Sequence, residues 1–395
     1  MGQCSSTMQG APPAAAAPVH IKKECSKSNL HVIIPDIKIH SVISSDLDYD
    51  HETAMMLRLG EVNDEQLLAE VARRHLDIHD RITDSMVKET YAVGKVLGHG
   101  ASGEVYHVTH KTTGKAFACK VVKKNSSMND AQSMSTEIEI MKRIRHRNIV
   151  SMYELYETPK CLWIILELVD GGDMYHFLAT SEGYNEVLAS RQMRQALAGV
   201  HYLHSLGVVH RDLKLDNILL SGTVDNCIVK IADFGLSALV RLDEDGYDAE
   251  ESSKRKAYTH LTEMWGTVEY FAPEVISQAY GPQADVWALG CVLYEMLCGE
   301  QAFPAHAGDK KSTYYARIGE GKFDLKKPAF AKISSEAKEL LKGMLCVDPC
   351  KRLSASECLN HTWITGKCHT LKHEATLTEV QQHMQERIDR KKRHK

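Results

Sequence analysis

The chain has 395 residues, 43% of them hydrophobic and 25% charged, with a formal net charge of -4. That length suits one large domain of two lobes, or two ordinary domains, plus a tail; the slight negative charge gives no general case for nucleic acid as the partner. The 11 cysteines form no C-x-x-C pair and read as buried residues of an intracellular chain, and no run of about 18 apolar residues predicts a membrane span.

The chain opens Met1-Gly2-Gln3-Cys4-Ser5-Ser6, followed by an Ala/Pro-rich run. Gly2 followed by Ser6 matches the N-myristoylation pattern, and Cys4 stands where a second acyl chain could be added. One chain binds a bilayer marginally and two anchor stably. The expectation is a cytoplasmic protein, held at the cytoplasmic face of a membrane if Gly2 and Cys4 are acylated. Residues 1–60 otherwise read as a largely disordered extension. Asp46, Asp48 and Asp50 start like a calcium loop, but His51 replaces the turn glycine and Leu57 the closing Glu, so that reading is rejected. Leu67, Leu68, Val71 and Leu76 predict a helix over Asn63–Ile82, part of a 61–90 extension packing on the domain that follows.

From Tyr91 the pattern turns to strands around Gly98, Gly100 and Gly103, a G-x-G-x-x-G followed by Val105 and Tyr106. Dinucleotide folds use the same glycines to open a helix. Here Glu104–Val108 and Lys115–Val121 run like strands joined by a Thr-Thr-Gly turn, so the glycines form a hairpin whose N–H groups can lie over phosphates. Lys120, within Ala118-Cys119-Lys120, is charged in an apolar strand and needs a partner. Glu137 and Glu139 are the candidates on the next helix, Met134–Ile144. Glu137 is favoured because it stands beside the face marked by Ile140, Met141 and Ile144. The strand run Cys161–Val169 ends in Asp170-Gly171-Gly172-Asp173, a flexible crossover. Helices dominate after it: Ala189–Ser205, Asp285–Met296, Ser335–Met344 and Ser354–Leu359.

The densest chemistry lies at Val208–Gly235, where H-R-D-L-K-L-D-N precedes D-F-G. Phosphoryl transfer needs an acid to accept a hydroxyl proton, oxygen ligands for Mg²⁺, and a cation at the moving phosphoryl group. Asp212, Lys214, Asn217 and Asp233 supply those types in a workable order.

With A272-P-E274, D285-V-W-A-L-G290 and Arg352 added, the chain from about Tyr91 to Trp363 resembles the eukaryotic Ser/Thr protein kinase family. Its Y-L-H-S-L-G-V-V-H-R-D-L-K segment and its E-L-V-D-G-G-D hinge are most like the calcium/calmodulin-dependent kinase group. The resemblance implies an α+β, two-lobed domain over 91–364, with a strand-rich lobe (91–168), a helical lobe (174–364) and a short basic amphipathic tail (365–395). It implies ATP and Mg²⁺ as cofactors and protein substrates. The glycine loop would cover the phosphates, and Lys120, held by Glu137, would contact them. Asn217 and Asp233 would hold Mg²⁺, Asp212 would orient the substrate hydroxyl, and Lys214 would balance charge on the γ-phosphoryl. Val105, Ala118 and Leu219 would enclose the adenine, Glu167 and Val169 would present hinge backbone to it, Leu166 would be the gatekeeper, and Asp173 would border the nucleotide. Asp285 would anchor the catalytic loop, and Glu274 would pair with Arg352. Asp173, Asp216 and Glu295 would receive a basic residue upstream of the target, with Asp where the family more often has Glu.

Three departures stand out. The segment after Asp233 carries an acidic block at Asp243–Glu251, then Ser252, Ser253 and Lys254–Lys256, which reads as solvated loop or as a regulatory insert. Arg211, which in the family pairs with an activation-segment phosphate, has Glu263 available as a built-in acid and Thr262 beside it as a phosphosite; both remain open. In the tail, Leu377, Val380, Met384 and Ile388 lie at helical spacing before a basic end. Calmodulin is the weaker reading there, and a docking helix the stronger. The rival readings are a kinase-fold scaffold acting through its extensions and a dinucleotide-dependent oxidoreductase. The intact catalytic set argues against the first, and the strand context against the second.

Overall fold

The computed structural model describes residues 78–79, 84–100, 103–124, 128–158, 160–222, 226–240, 260–366 and 376–393. Gly2 and Cys4, expected as acylation positions, the Asp46–Asp50 stretch and the 243–256 insert lie outside them.

Among the described residues the N-terminal lobe shows a six-stranded sheet and two helices. In chain order it contains β1 (Ile78–His79), α1 (Asp84–Thr90), β2 (Tyr91–Gly100), β3 (Gly103–His110), β4 (Ala116–Lys123), α2 (Met128–Arg143), β5 (Met152–Glu157) and β6 (Cys161–Leu166). The strand order is β1-β5-β6-β4-β3-β2. All pairs are antiparallel except β1 with β5. The helix expected through Ile82 is therefore corrected at Ile78–His79, which instead pairs with the otherwise open edge of β5 and satisfies its backbone groups; the remainder of that expectation falls outside the described residues.

Strand period 2 divides β4 between two cores. Phe117 and Cys119 enter an outer cluster with Val87, Tyr91, Val108, Trp163 and Ile165. Val122 faces the other way, toward Ile140, Met141 and Ile144 of the α2 region. Lys120 shares the face of Val122, and Glu137, Ile140, Met141 and Ile144 make one helical stripe at i, i+3, i+4 and i+7. Strand and helix periods together bring the two charges onto one buried surface.

The C-terminal lobe contains α3 (Met174–Thr180), α4 (Glu186–Ser205), β7 (Val208–Val209), β8 (Ile218–Ser221), β9 (Ile228–Ile231), β10 (Ala238–Leu239), α5 (Pro273–Ile276), α6 (Gln283–Cys298), α7 (Lys311–Glu320), α8 (Ser335–Met344), α9 (Ala355–Leu359), α10 (Thr362–Thr365) and α11 (Thr378–Arg393). Helix α6 is buried from Ala284 through Cys298, as expected of a helix apolar on every side, and it forms the axis of the lobe. The short hairpin β8–β9 delivers the D-F-G segment to the junction with the sheet. Among the described residues no helix is long and apolar enough to cross a membrane.

Candidate active site

Lys120 is 6% exposed and Glu137 4%. The lysine Nζ donates to Glu137 Oε1 at 2.7 Å and to Asp233 Oδ1 at 2.8 Å. Glu139, the other candidate, sits on the exposed side of α2 and pairs with Arg143. Burial works against the Lys120 charge, but the two carboxylates outweigh it and keep its pKa above the ordinary value. For Asp233 burial again opposes ionisation, and Lys120 prevails, holding the carboxyl below its usual range. A lone ammonium could not remain charged here; held by two acids it can.

The catalytic loop is fixed from below. Asp285, in the first turn of α6, accepts from the backbone N–H groups of His210 at 2.9 Å and Arg211 at 3.0 Å, and lies 2.9 Å from His204 Nε2. Arg211 (φ 70°) and Asp233 (φ 62°) both take the left-handed backbone that side chains rarely adopt, and such strain persists only where the surroundings enforce it. Asp212 Oδ1 accepts from Thr267 N at 2.9 Å and Thr267 Oγ1 at 2.7 Å. Its Oδ2 accepts from Lys214 Nζ at 2.7 Å and Asn217 Nδ2 at 3.0 Å. Lys214 also reaches Thr267 Oγ1 at 2.9 Å. The hydroxyl and N–H of Thr267 are contributions that motif reading missed, because they reach Asp212 from 55 positions along the chain.

The donors suit Mg²⁺. Asn217 spends its amide N–H groups on Asp212 O and Oδ2, leaving its Oδ1 as an acceptor. Asp233 Oδ1 takes Lys120 and the Gly235 N–H, leaving Oδ2. Hard oxygen atoms of this kind, completed by phosphate and water, match magnesium's preference.

Gly98, Gly100 and Gly103 lie in the β2–β3 hairpin, with Gly98 opposite Val105 and Gly100 opposite Gly103. A Cβ on Gly103 would fall 2.2 Å from Val121 O, so a glycine is needed for β4 to approach. Val105 is opposite Lys120, and Ala118 opposite Leu166. Leu219 bridges to Asp173 through backbone contacts. Glu167 is tied down, its N–H donating to Ser151 O at 2.9 Å and its carboxylate pairing with Lys230 at 2.7 Å. Val169 follows, half-buried.

The three acids expected to face substrate do not behave alike. Asp216 is exposed. Asp173 caps α3, accepting from His176 N at 2.8 Å, with the His176 ring 2.9 Å away. Glu295 stands in a different environment: its side chain is 2% exposed and is ion-paired to Arg387 of α11. Distance along the sequence hid that pairing. Arg211 reaches the Leu236 and Ser237 carbonyls and lies 3.6 Å from Glu263 Oε2, while Thr262 is exposed beside it. Deeper in the lobe, Arg352 and Glu274 form a buried bidentate pair. Breaking such a pair from one side costs about 3–5 kcal/mol.

A family model for the protein kinase domain matches residues 91–364. The chain is 32% identical to a calcium/calmodulin-dependent protein kinase type 1 of Caenorhabditis briggsae, over 73% of this chain and 77% of that one. It is 36% identical to calcium-dependent protein kinase 1 of rice (Oryza sativa subsp. japonica), over 70% of this chain but only 51% of the relative. With calcium/calmodulin-dependent protein kinase type IV of Rattus norvegicus identity is 35%, over 73% of this chain and 56% of that one. A matched domain that also places a lysine, its glutamate partner and a metal-type aspartate in contact leaves one conclusion: this chain belongs to the protein kinase family, as an ATP- and Mg²⁺-using serine/threonine kinase nearest in kind to the calcium/calmodulin-dependent group.

Proposed function

We propose that this kinase phosphorylates serine or threonine in proteins that carry a basic residue upstream of the target, and that Asp173 and Asp216 receive that residue. The observation that carries the catalytic part is the continuous contact from Glu137 through Lys120 to Asp233. Bound ATP–Mg²⁺ supplies the electrophilic γ-phosphoryl and the charge that offsets its oxygens. The residues around it divide the remaining work. Lys120, kept cationic by two carboxylates, binds phosphate oxygens. Asn217 and Asp233 offer oxygen to the metal. Asp212, oriented by Thr267 and Lys214, positions the substrate hydroxyl and accepts its proton, and Lys214 balances the developing negative charge.

For the substrate, an exposed Asp216 and a partly exposed Asp173 support recognition of a cation, and a guanidinium paired to carboxylates gives geometry as well as charge. Acylation at Gly2 and Cys4 would hold the kinase at a membrane surface and so favour substrates found there. Calmodulin is left out of the reading, because a calmodulin-bound tail would have to give up the burial of Leu377, Val380, Met384 and Ile388. The test is transfer of labelled phosphate from ATP–Mg²⁺ to an oriented peptide library, using full-length protein pretreated with phosphatase. Activity abolished by Asp233→Ala, with arginine selected upstream of the target, is the expected result. Activity without any basic selection would sink the roles given to Asp173 and Asp216.

A further inference from the structure

Glu295 lies in the last turn of the axial helix α6 and is almost fully buried. A buried carboxylate must be paired. Arg387 Nη1 reaches Glu295 Oε2 at 2.5 Å and also approaches Gly299 O at 3.4 Å. Arg387 belongs to α11, which is keyed to the end of α6 and not merely laid across it. Val380, Met384 and Ile388 recur every fourth residue and are buried, Leu377 N donates to Tyr184 O at 2.7 Å, and His383 Nδ1 is 2.8 Å from Cys298 O. Gly299 completes the seat, since a Cβ there would come within 2.8 Å of Val380 O and His383 Cβ. The same helix sets Lys391 Nζ 4.1 Å and the Arg387 guanidinium 5.3 Å from the Tyr175 ring, close in sequence to the Asp173 cap. Asp173 itself faces His176, and Asp216 is exposed.

We infer that Arg387 closes the Glu295 subsite, so that this kinase reads one basic residue upstream of its target, through Asp173 and Asp216, and not a second. The inference rests on the basic-substrate reading above. A second substrate arginine would have to displace an intramolecular one, whose effective concentration is set by a packed helix, and would meet the positive charge of Lys391. Arg387 is therefore a specificity-determining residue, although it lies outside the nucleotide site and far along the chain.

The test compares kcat/KM of the full-length enzyme on peptides with no, one or two upstream arginines. The wild type is expected to gain from the first arginine and to ignore the second. Arg387→Gln frees the Glu295 carboxylate, and a second arginine should then raise kcat/KM about tenfold, the worth of a charge-assisted hydrogen bond. The double variant Glu295→Gln/Arg387→Gln should lose that gain. Glu295→Gln alone is nearly isosteric, retains a hydrogen-bond acceptor for Arg387, and should select peptides as the wild type does, which keeps the inference open to refutation if Arg387→Gln does not fold. A wild-type preference for two arginines that Glu295→Gln removes would overturn it, leaving the basic-substrate reading intact. An equal rise on all peptides in Arg387→Gln would also overturn it, in favour of a helix that covers the cleft. A wild type indifferent to every arginine would overturn both readings.

Discussion

Asp212 accepts four hydrogen bonds from three side chains and one backbone N–H. Such a carboxylate is oriented before any substrate arrives, which is the condition for a general base to act efficiently. Arg211, its neighbour, links the D-F-G segment to Glu263. Tyr280 helps hold that part of the activation segment, because its hydroxyl donates to Glu263 O at 2.7 Å and its backbone pairs with Leu261. The Glu263 side chain is well exposed, and an ion pair of this kind is worth up to about 1 kcal/mol. Glu263→Ala should therefore lower kcat/KM of phosphatase-treated enzyme by no more than about fivefold. An unchanged rate would remove Glu263 from the switch and point to phosphorylation at Thr262.

At the scale of elements, the turn after α2 joins the lobes through His146. Its ring stacks on Tyr202 of α4 at 5.1 Å, and Nδ1 accepts from Asn148 N at 3.1 Å. Burial, aided by the cations of Arg147 and Lys230, pushes its pKa down to about 4. The folded state thus keeps this imidazole neutral, whereas the unfolded chain protonates it near pH 6.5. Stability from this group is complete above about pH 6.5 and is lost as pH falls toward 4. Urea midpoints at pH 7, 5.5 and 4.5 should fall less steeply for His146→Gln than for the wild type; parallel slopes would remove His146 from the acid sensitivity. Much at this scale was legible in the chain itself. The period of β4 and the stripe of α2 placed Lys120 against Glu137 rather than Glu139, and the apolar spacing of Leu377, Val380, Met384 and Ile388 announced α11. The strand at Ile78–His79 was not legible, because so short a segment takes its conformation from the edge it joins and not from its own pattern.

At the scale of the whole molecule, the groups proposed to carry catalysis come from both lobes. Lys120 and Glu137 belong to the sheet side, Asp212, Asn217 and Asp233 to the helical side, and the 2.8 Å contact between Lys120 and Asp233 spans them. A ligand gripping both sides should stabilise the pair as a unit. Saturation at about 100 times Kd is worth about 2.7 kcal/mol, so ATP with Mg²⁺ should raise the thermal midpoint. Chelation by EDTA should remove the metal-dependent share, and Asn217→Ala should diminish it. A midpoint unmoved by ATP–Mg²⁺ would contradict the nucleotide site assigned here.

Residue types and their local spacing were enough to determine the strand-rich lobe, the helical lobe and the class of reaction, because glycine hairpins, strand and helix periods, and the H-R-D and D-F-G clusters act over short stretches of chain. The environment of each group was decided only by tertiary structure. Packing of α11 brings Arg387 onto Glu295 across 92 positions, and Thr267 meets Asp212 across 55. Burial and pairing at such distances depend on the whole packed lobe, and no local pattern records them.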